Sequence, residues 1–486
     1  MTAKRTQVLV IGSGAGGAVT AIELARASID VVVLEEGRRH APADYGRSAP
    51  RAMETLYRRR GMTPILGPTP LGYVEGACLG GSTEINSGFW HRTPREILLH
   101  WKAQYDLQAA SAEELAPHFE WAEELLQVQK YGKEWPKSTE VFARGIERMG
   151  WAFAEIPRAA AGCQSTNACP SGCPTQAKQG MTRSAWPRAE EAGAKVLTRC
   201  RAQQLLFDGR RCVGVVAELE HESGERELVR IDAEHVFVCA GPTETPALLR
   251  RSGIKHHVGE TFRVHPMLKV AARFPETIDA HASVLPLLQV KEFWPEISLG
   301  GAFSTPGHLA MLLSDNWRET ESQMSAHRNV ASYYVAVRGT GRGRIRTSML
   351  GDDTLVRYEL SDADVGALSR GLARLSTLLL AAGAEAVFPT VRGIPSITTE
   401  TDAIRWLDEP LPRNALSLTT VHAFSSCPIG ERSDRCAADS FGKVHRHDNV
   451  YVNDASMVPD SPGVNPQGSV MALARRNVLH FIEGLT

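Results

Sequence analysis

Three sets of residues in this 486-residue sequence have types and spacings that could do chemistry: a glycine turn near the N-terminus, three closely spaced cysteines, and sixteen histidines spread along the chain. The turn is Gly12-Ser13-Gly14-Ala15-Gly16-Gly17. Gly12 suits a tight turn, Gly14 lets backbone approach a pyrophosphate, and Gly17 lets a helix pack on a strand, which is the pattern of a dinucleotide loop with Ala15 opening the helix. Cys163, Cys169 and Cys173 lie close enough to ligate a metal or an iron–sulfur cluster. Histidine is the side chain whose ordinary pKa suits proton transfer near neutrality, but residue type alone singles out none of the sixteen.

The elements around the turn are those such a loop needs. Gln7 to Ile11 is a β-branched, apolar run of strand type, and AVTAIELARA after the turn has helical spacing. A second strand-like run, Val31 to Leu34, ends in Glu35, about 20 residues beyond the middle glycine, where an acid can accept a ribose hydroxyl. An acid at that place disfavours a 2′-phosphate and hence NADP, while NAD and FAD both fit.

Composition narrows the class. Fifty-four Lys and Arg against 55 Asp and Glu give a formal net charge of −1, so no global field draws the chain to nucleic acid or an anionic membrane. No apolar stretch approaches the roughly 18 residues of a membrane span. The N-terminus lacks a signal-peptide pattern, and most of the nine cysteines sit in apolar runs such as VFVCAG, as reduced buried thiols do, so a cytoplasmic protein is expected. The length suggests two to three domains.

A second glycine-rich turn follows, Gly76-Ala77-Cys78-Leu79-Gly80-Gly81-Ser82-Thr83-Glu84-Ile85-Asn86. One phosphate loop suffices for a nucleotide fold, so a second implies that another part of the cofactor is cradled. This segment, together with Gly241-Pro242-Thr243-Glu244-Thr245-Pro246 and the C-terminal stretches Asp454-Ala455-Ser456 and Ser461-Pro462-Gly463-Val464-Asn465-Pro466-Gln467, resembles the signatures of the glucose/methanol/choline (GMC) oxidoreductases, in order along nearly the whole chain. Asn465-Pro466-Gln467 also reads as a helix start, whose N-terminus carries unpaired N–H groups and partial positive charge.

The resemblance implies an α/β (α+β overall) flavoprotein: a Rossmann-like FAD-binding domain at residues 1–265 and 431–486, with a helical, cysteine-rich insertion at about 91–184. A substrate domain at 266–430 is built on an antiparallel sheet with helices. It implies FAD contacts from Gly12, Gly14, Ala15, Gly17, Glu35, Gly80, Gly81, Ser82, Asn86, Ala202, Ala240, Gly241, Asp454, Ala455, Asn465, Pro466 and Gln467. Members with a histidyl flavin link that can be placed by motif carry His where this chain has Ile85, so FAD is expected to be non-covalent. The implied activity is oxidation of a small-molecule alcohol to aldehyde or ketone, with hydride passing to flavin N5 and electrons to O2 or another acceptor. His422, five residues before Cys427, falls at the family's catalytic histidine and is implied as general base. Asn465 is its expected partner on the substrate oxygen. The loop departs from the family pattern at Ala423 and Ser425-Ser426. His265, in a segment similar to the family's D-H-P with Val264 for Asp, is assigned a structural role. The cysteine segment is similar to one in the branch of long-chain alcohol oxidases and sugar dehydrogenase large subunits. Gln164 replaces the second cysteine of an iron–sulfur pair, so a structural loop near the flavin, without metal, is expected. Phe89, Trp90, Phe293 and Trp294 are candidates for an apolar pocket or for core. The alternatives are a non-redox flavoprotein such as a lyase of this family, and an NAD-dependent dehydrogenase, which would leave the second turn unexplained.

Overall fold

Val8, Leu9, Val10 and Ile11 are all buried although they are consecutive. A strand so placed has both faces covered, as in a parallel sheet flanked by helices. In the computed structural model, which describes residues 4–46, 48–348 and 354–485, this run is β1 (Lys4–Ile11). It leads through the glycine turn into α1 (Ala15–Arg26) and then β2 (Val31–Leu34). Five further strands complete this sheet: β3 (Lys195–Leu197), β4 (Cys200–Asp208), β5 (Arg211–Glu220), β6 (Arg226–Val238) and β7 (Val450–Val452). The order is β3-β2-β1-β6-β5-β4, with β7 also on β6. The long β6 serves two partners of opposite sense. Its first half pairs antiparallel with β5, and its second half pairs parallel with β1 and β7.

Three helices matter for the site besides α1: α2 (Gly241–Arg251), α3 (Asp362–Ala381) and α4 (Gln467–Glu483). The C-terminal α4 packs beside α1 and is tied to it by Arg475 and Glu23, 3.1 Å apart. The last residues of the chain thus help to hold the first.

A second, nine-stranded sheet faces the first across a cavity. Its order is 63–65, 71–73, 418–420, 267–273, 330–337, 297–301, 288–290, 153–155, with 386–389 on the strand Met267–Arg273. All its pairings are antiparallel except that of 71–73 with 418–420. The face away from the cavity is covered by α3. That helix begins at the cap expected from its sequence: Ser361 Oγ accepts the Asp364 N–H at 3.0 Å and Asp364 Oδ2 accepts the Ser361 N–H at 3.1 Å. It approaches closely at Gly371, where a side chain would meet Val335 at 2.2 Å.

Strands 63–65, 71–73 and 153–155 belong to this second sheet although they precede residue 266. Sheet membership therefore does not follow the boundary drawn at 266. The reason is length: runs of three residues carry too little periodicity to be assigned from sequence. Among the described residues no helix is long and apolar enough to cross a membrane.

Candidate functional site

A cavity of about 870 Å³ lies between the two sheets, within the range of ligand and cofactor sites. Its first wall is the N-terminal turn. Gly12 has φ of +104°, and a side chain there would lie 2.2 Å from the Cys239 carbonyl oxygen, so only glycine fits. Gly17 is packed behind the turn, where a side chain would meet the Gly12 carbonyl oxygen at 1.9 Å. Gly14 differs from both: nothing lies within 4 Å of where its side chain would be, and its backbone opens onto the cavity at the N-terminus of α1. Gly14 provides no side-chain cap. The first N–H groups of α1, from Ala15 onward, are thus available to an anionic ligand such as a pyrophosphate.

The second turn docks on the first. The Gly80 N–H donates to Ser13 Oγ at 3.0 Å, and a side chain on Gly81 would come within 3.0 Å of Gly14 Cα. Gly81, Ser82 and Asn86 line the cavity, while Gly80 stands behind them. Ser82 Oγ accepts the Gly76 N–H at 3.0 Å, and Asn86 Nδ2 donates to Gln467 Oε1 at 2.7 Å. This last bond joins the turn to the start of α4, where Asn465, Pro466 and Gln467 also face the cavity. Ile85 lines the cavity among Tyr45, Ala52, Leu56 and Cys78.

Glu35 ends β2 as expected, and its carboxylate is already engaged. It accepts the Ser13 N–H at 3.1 Å, the Ser13 hydroxyl at 2.5 Å and the Gly37 N–H at 2.8 Å. Burial, with the neighbouring Glu36 charge, pushes its pKa up to about 7. A carboxylate offers about four lone-pair sites, which leaves room for a ribose hydroxyl. Ala202 on β4, and Ala240 and Gly241 at the start of α2, line the same end. Asp454 holds α2 in place: its Oδ2 accepts the Gly241 N–H at 2.7 Å and the Thr245 hydroxyl at 2.6 Å. Burial raises its pKa. Ala455 follows it on the cavity wall. The glycine cradles, the uncapped α1 and the residual acceptor on Glu35 suit an adenine dinucleotide such as FAD, and the second turn and the start of α4 continue the cavity wall beyond them.

A charged group on this side was not apparent from sequence. Arg58 pairs with Glu36, and its Nε lies 2.7 Å from Glu75 Oε1; Glu244 is 4.0 Å from its Nη1. These residues, from separate segments, meet only through the fold.

The opposite wall carries the histidines. His422 sits between two partners: its Nε2 lies 3.1 Å from Asn465 Nδ2, and its Nδ1 lies 3.1 Å from His265 Nδ1. His265 Nε2 in turn lies 2.7 Å from Ser461 Oγ. Both expected site residues are therefore together, and His265, assigned a structural role from sequence, is in direct contact with His422. Burial lowers the His422 pKa to about 4. Burial, then the nearby His422 and Arg338, hold His265 well below its ordinary value. Both rings are neutral at pH 7. The chain of contacts is consistent with one tautomer assignment: Asn465 donates to His422 Nε2, His422 Nδ1–H donates to His265 Nδ1, and His265 Nε2–H donates to Ser461. In it the His422 Nε2 lone pair accepts the Asn465 N–H at the cavity wall, a bond that an incoming hydroxyl would replace.

The cysteine loop packs against the same cavity. Thr166, Asn167, Ala168, Pro170 and Ser171 line it, whereas the cysteine sulfurs face Arg158 and Lys178: Arg158 donates to Cys169 Sγ at 3.4 Å and Cys163 Sγ at 3.7 Å, and the Lys178 N–H donates to Cys173 Sγ at 3.4 Å. Among the described residues no three His, Cys, Asp or Glu side chains are grouped to hold a metal ion. Of the four candidate aromatics, Phe89 lines the cavity; Trp90 is buried with Nε1 donating to Glu123, and Phe293 packs against Trp151 and under Arg374.

Comparison with known proteins agrees with this layout. Residues 8–267 and 340–474 match the N- and C-terminal family models described as GMC oxidoreductase. The chain is 37% identical, over 96% of its length and 93% of the relative's, to an uncharacterized GMC-type oxidoreductase, y4nJ, of Sinorhizobium fredii. It is 28% identical to the long-chain-alcohol oxidase FAO1 of Arabidopsis thaliana, over 96% of this chain and 65% of that protein. Among solved structures, formate oxidase of Aspergillus oryzae superposes with a TM-score of 0.75 at 15% identity, covering 100% of this chain and 99% of that one. Pyridoxine 4-oxidase matches with a TM-score of 0.73 at 17% identity, covering 98% and 99%.

Proposed function

We propose that this chain, which belongs to the GMC oxidoreductase family and is an FAD-dependent oxidoreductase, oxidises an alcohol to an aldehyde or ketone with His422 as general base. FAD, when bound, supplies the two-electron acceptor for the carbinol carbon. The backbone of Gly12, Gly14 and Ala15 at the α1 N-terminus would hold its pyrophosphate, Glu35 its ribose, and Gly81, Ser82, Asn86 and Gln467 its further ring. Ile85 offers no nucleophile, which supports non-covalent attachment.

The observation that carries the reading is the pair His422 Nε2 and Asn465 Nδ2, 3.1 Å apart on the cavity wall at the start of α4. A substrate hydroxyl placed between them finds an acceptor for its proton on Nε2 and a donor for its oxygen on Asn465. His265 and Ser461 fix the tautomer in which Nε2 is an acceptor, and the substrate hydroxyl takes the place that the Asn465 N–H holds there. His422, with its pKa held near 4 by burial, is unprotonated throughout the neutral range and so ready to accept. Electrons then pass to O2 or to another acceptor.

Holoenzyme mixed anaerobically with a panel of alcohols tests this. Bleaching of the flavin's visible band by at least one alcohol, with the matching carbonyl formed, is expected. A flavin left oxidised by the whole panel would refute alcohol oxidation. Readmitting oxygen then separates an oxidase from a dehydrogenase.

A further inference from the structure

The cavity floor beyond the histidines is the nine-stranded sheet, and it holds a charge that alcohol oxidation does not use. Along the strand Met267–Arg273, Met267 and Lys269 face the cavity. Lys269 Nζ has no hydrogen-bond or ion-pair partner among the described residues. The acids that line the cavity, Glu35, Glu36, Glu75, Glu244 and Asp454, stand with the glycine turns. Burial alone acts on the ammonium and lowers its pKa; no carboxylate offsets it. The side chain is half-buried and faces the cavity, so a ligand that displaces water there must offer this cation an acceptor.

Directly across the sheet from Lys269 stands Tyr334, also on the cavity. Its hydroxyl is oriented by a short relay. Lys291 donates to Gln289 Oε1, which turns the Gln289 amide so that Nε2 donates to Tyr334 Oη at 3.0 Å. Tyr334 Oη is thereby an acceptor on that side and keeps its own proton for another partner, with no such acceptor among the described residues. Glycine at position 300 makes room for this hydroxyl, since a side chain there would lie 2.7 Å from it. Both groups thus line the cavity as donors without an acceptor, but the Tyr334 hydroxyl leans over Gly300 toward Gln289 and away from Lys269, whose titratable neighbour on the cavity is His308. Between Lys269 and His265 the wall is Met267 and Ala336, with Thr419 and Ser298 beside them in the same row of the sheet.

We infer that the alcohol substrate carries a carboxylate at the end remote from its hydroxyl, bound by Lys269, with its stem along the sheet. The four residues from His265 to Lys269 span about 13 Å of extended backbone, so several carbons separate the two groups. A carboxylate supplies the acceptor and the counter-charge that Lys269 lacks. The inference rests on the alcohol-oxidation reading for the position of the hydroxyl but not for the anion site itself.

The test compares straight-chain ω-hydroxycarboxylates of about six to twelve carbons, bracketing that span, with their methyl esters, which lack the charge. Flavin bleaching of the holoenzyme is the readout. The acids are expected to show kcat/KM at least about tenfold above their esters at the best length, mainly through KM. Lys269→Met should bring the acid-to-ester ratio near one, while Lys269→Arg, which keeps the charge, should preserve the acid's advantage. Equal use of acid and ester by the unaltered enzyme, or an unchanged ratio in Lys269→Met, would overturn the inference. A parallel titration of the flavin spectrum with hexanoate and hexanamide needs no turnover. If neither acids nor esters bleach the flavin, ω-hydroxycarboxylates are not the substrate and the inference fails at its hydroxyl end, while the titration still decides the anion site. Tighter binding of hexanoate that is lost in Lys269→Met upholds it; equal binding removes it.

Discussion

On the wall formed by the seven-stranded sheet, the surface offered to a ligand is mostly backbone: Gly14 open at the α1 N-terminus, Gly81 laid against it, and the uncapped start of α4. On the wall formed by the nine-stranded sheet it is mostly side chains: His265, Lys269, Gln289 and Tyr334, with His422 beside them on the loop after strand 418–420. The first wall is specified by where a side chain is forbidden, the second by which side chain is present. A cofactor common to many reactions suits the first kind of surface, because backbone N–H groups read phosphate without regard to what else is bound. A particular substrate needs the second kind, since chemistry and selectivity lie in functional groups.

Breaking the backbone wall should have the largest effect on stability. Gly12→Ala forces a side chain into the left-handed region and against the Cys239 carbonyl. A loss of about 3 kcal/mol, read by denaturant unfolding, is expected, with FAD lost alongside. Gly14→Ala sharpens the contrast, because the space around it is open. The apoprotein should unfold as the unaltered one does, while FAD affinity falls by about tenfold or more, or about 1.4 kcal/mol. If the two variants behaved alike, the division between a packing glycine and a ligand-facing glycine would be wrong.

On the side-chain wall, His265→Ala leaves His422 in place but removes the acceptor that fixes its tautomer. Flavin reduction should slow by roughly tenfold with FAD binding unchanged, and the pH profile should shift, which loss of packing alone would not produce.

The smallest effect is on stability against pH. A histidine whose folded pKa lies below its ordinary value leaves the folded state with fewer protons than the unfolded state. Stability is then full above the unfolded value near 6.5 and declines as pH falls toward the folded value near 4. Between pH 7 and 5.5, His422 should account for about 1 kcal/mol of that decline. The slope should flatten in His422→Asn, measured by unfolding at a series of pH values.

The same contrast explains what could be read from the residues alone. Gly12, Gly14 and Gly17 announce their roles locally, because a tight turn, an open approach and a close packing are each properties of a few consecutive residues. Strand, turn, helix and terminal acid were legible for that reason, as was the Ser361 cap of α3. The position of His422 was legible through resemblance, and that of Asn465 with it. The pairing of His265 with His422 was not: the two are 157 residues apart, and only the short antiparallel pairing of Arg263–Val264 with Ala423–Phe424 brings them together. Val264-His265-Pro266 gave no local cue beyond a buried strand entrance. Lys269 in MLKVAAR reads as an ordinary charged residue on an alternating strand, and nothing local says that its face looks into a cavity instead of water. The Arg58, Glu75 and Glu244 cluster was hidden in the same way.

The central claim is that His422 takes the hydroxyl proton while the opposite wall holds the flavin independently of it. Anaerobic rapid mixing of alcohol with His422→Gln, its FAD content measured in the same preparation, tests this most directly. Full FAD occupancy with flavin reduction slowed by about 10²- to 10⁴-fold is the predicted result. Reduction at near the unaltered rate in a fully flavinylated variant would contradict it.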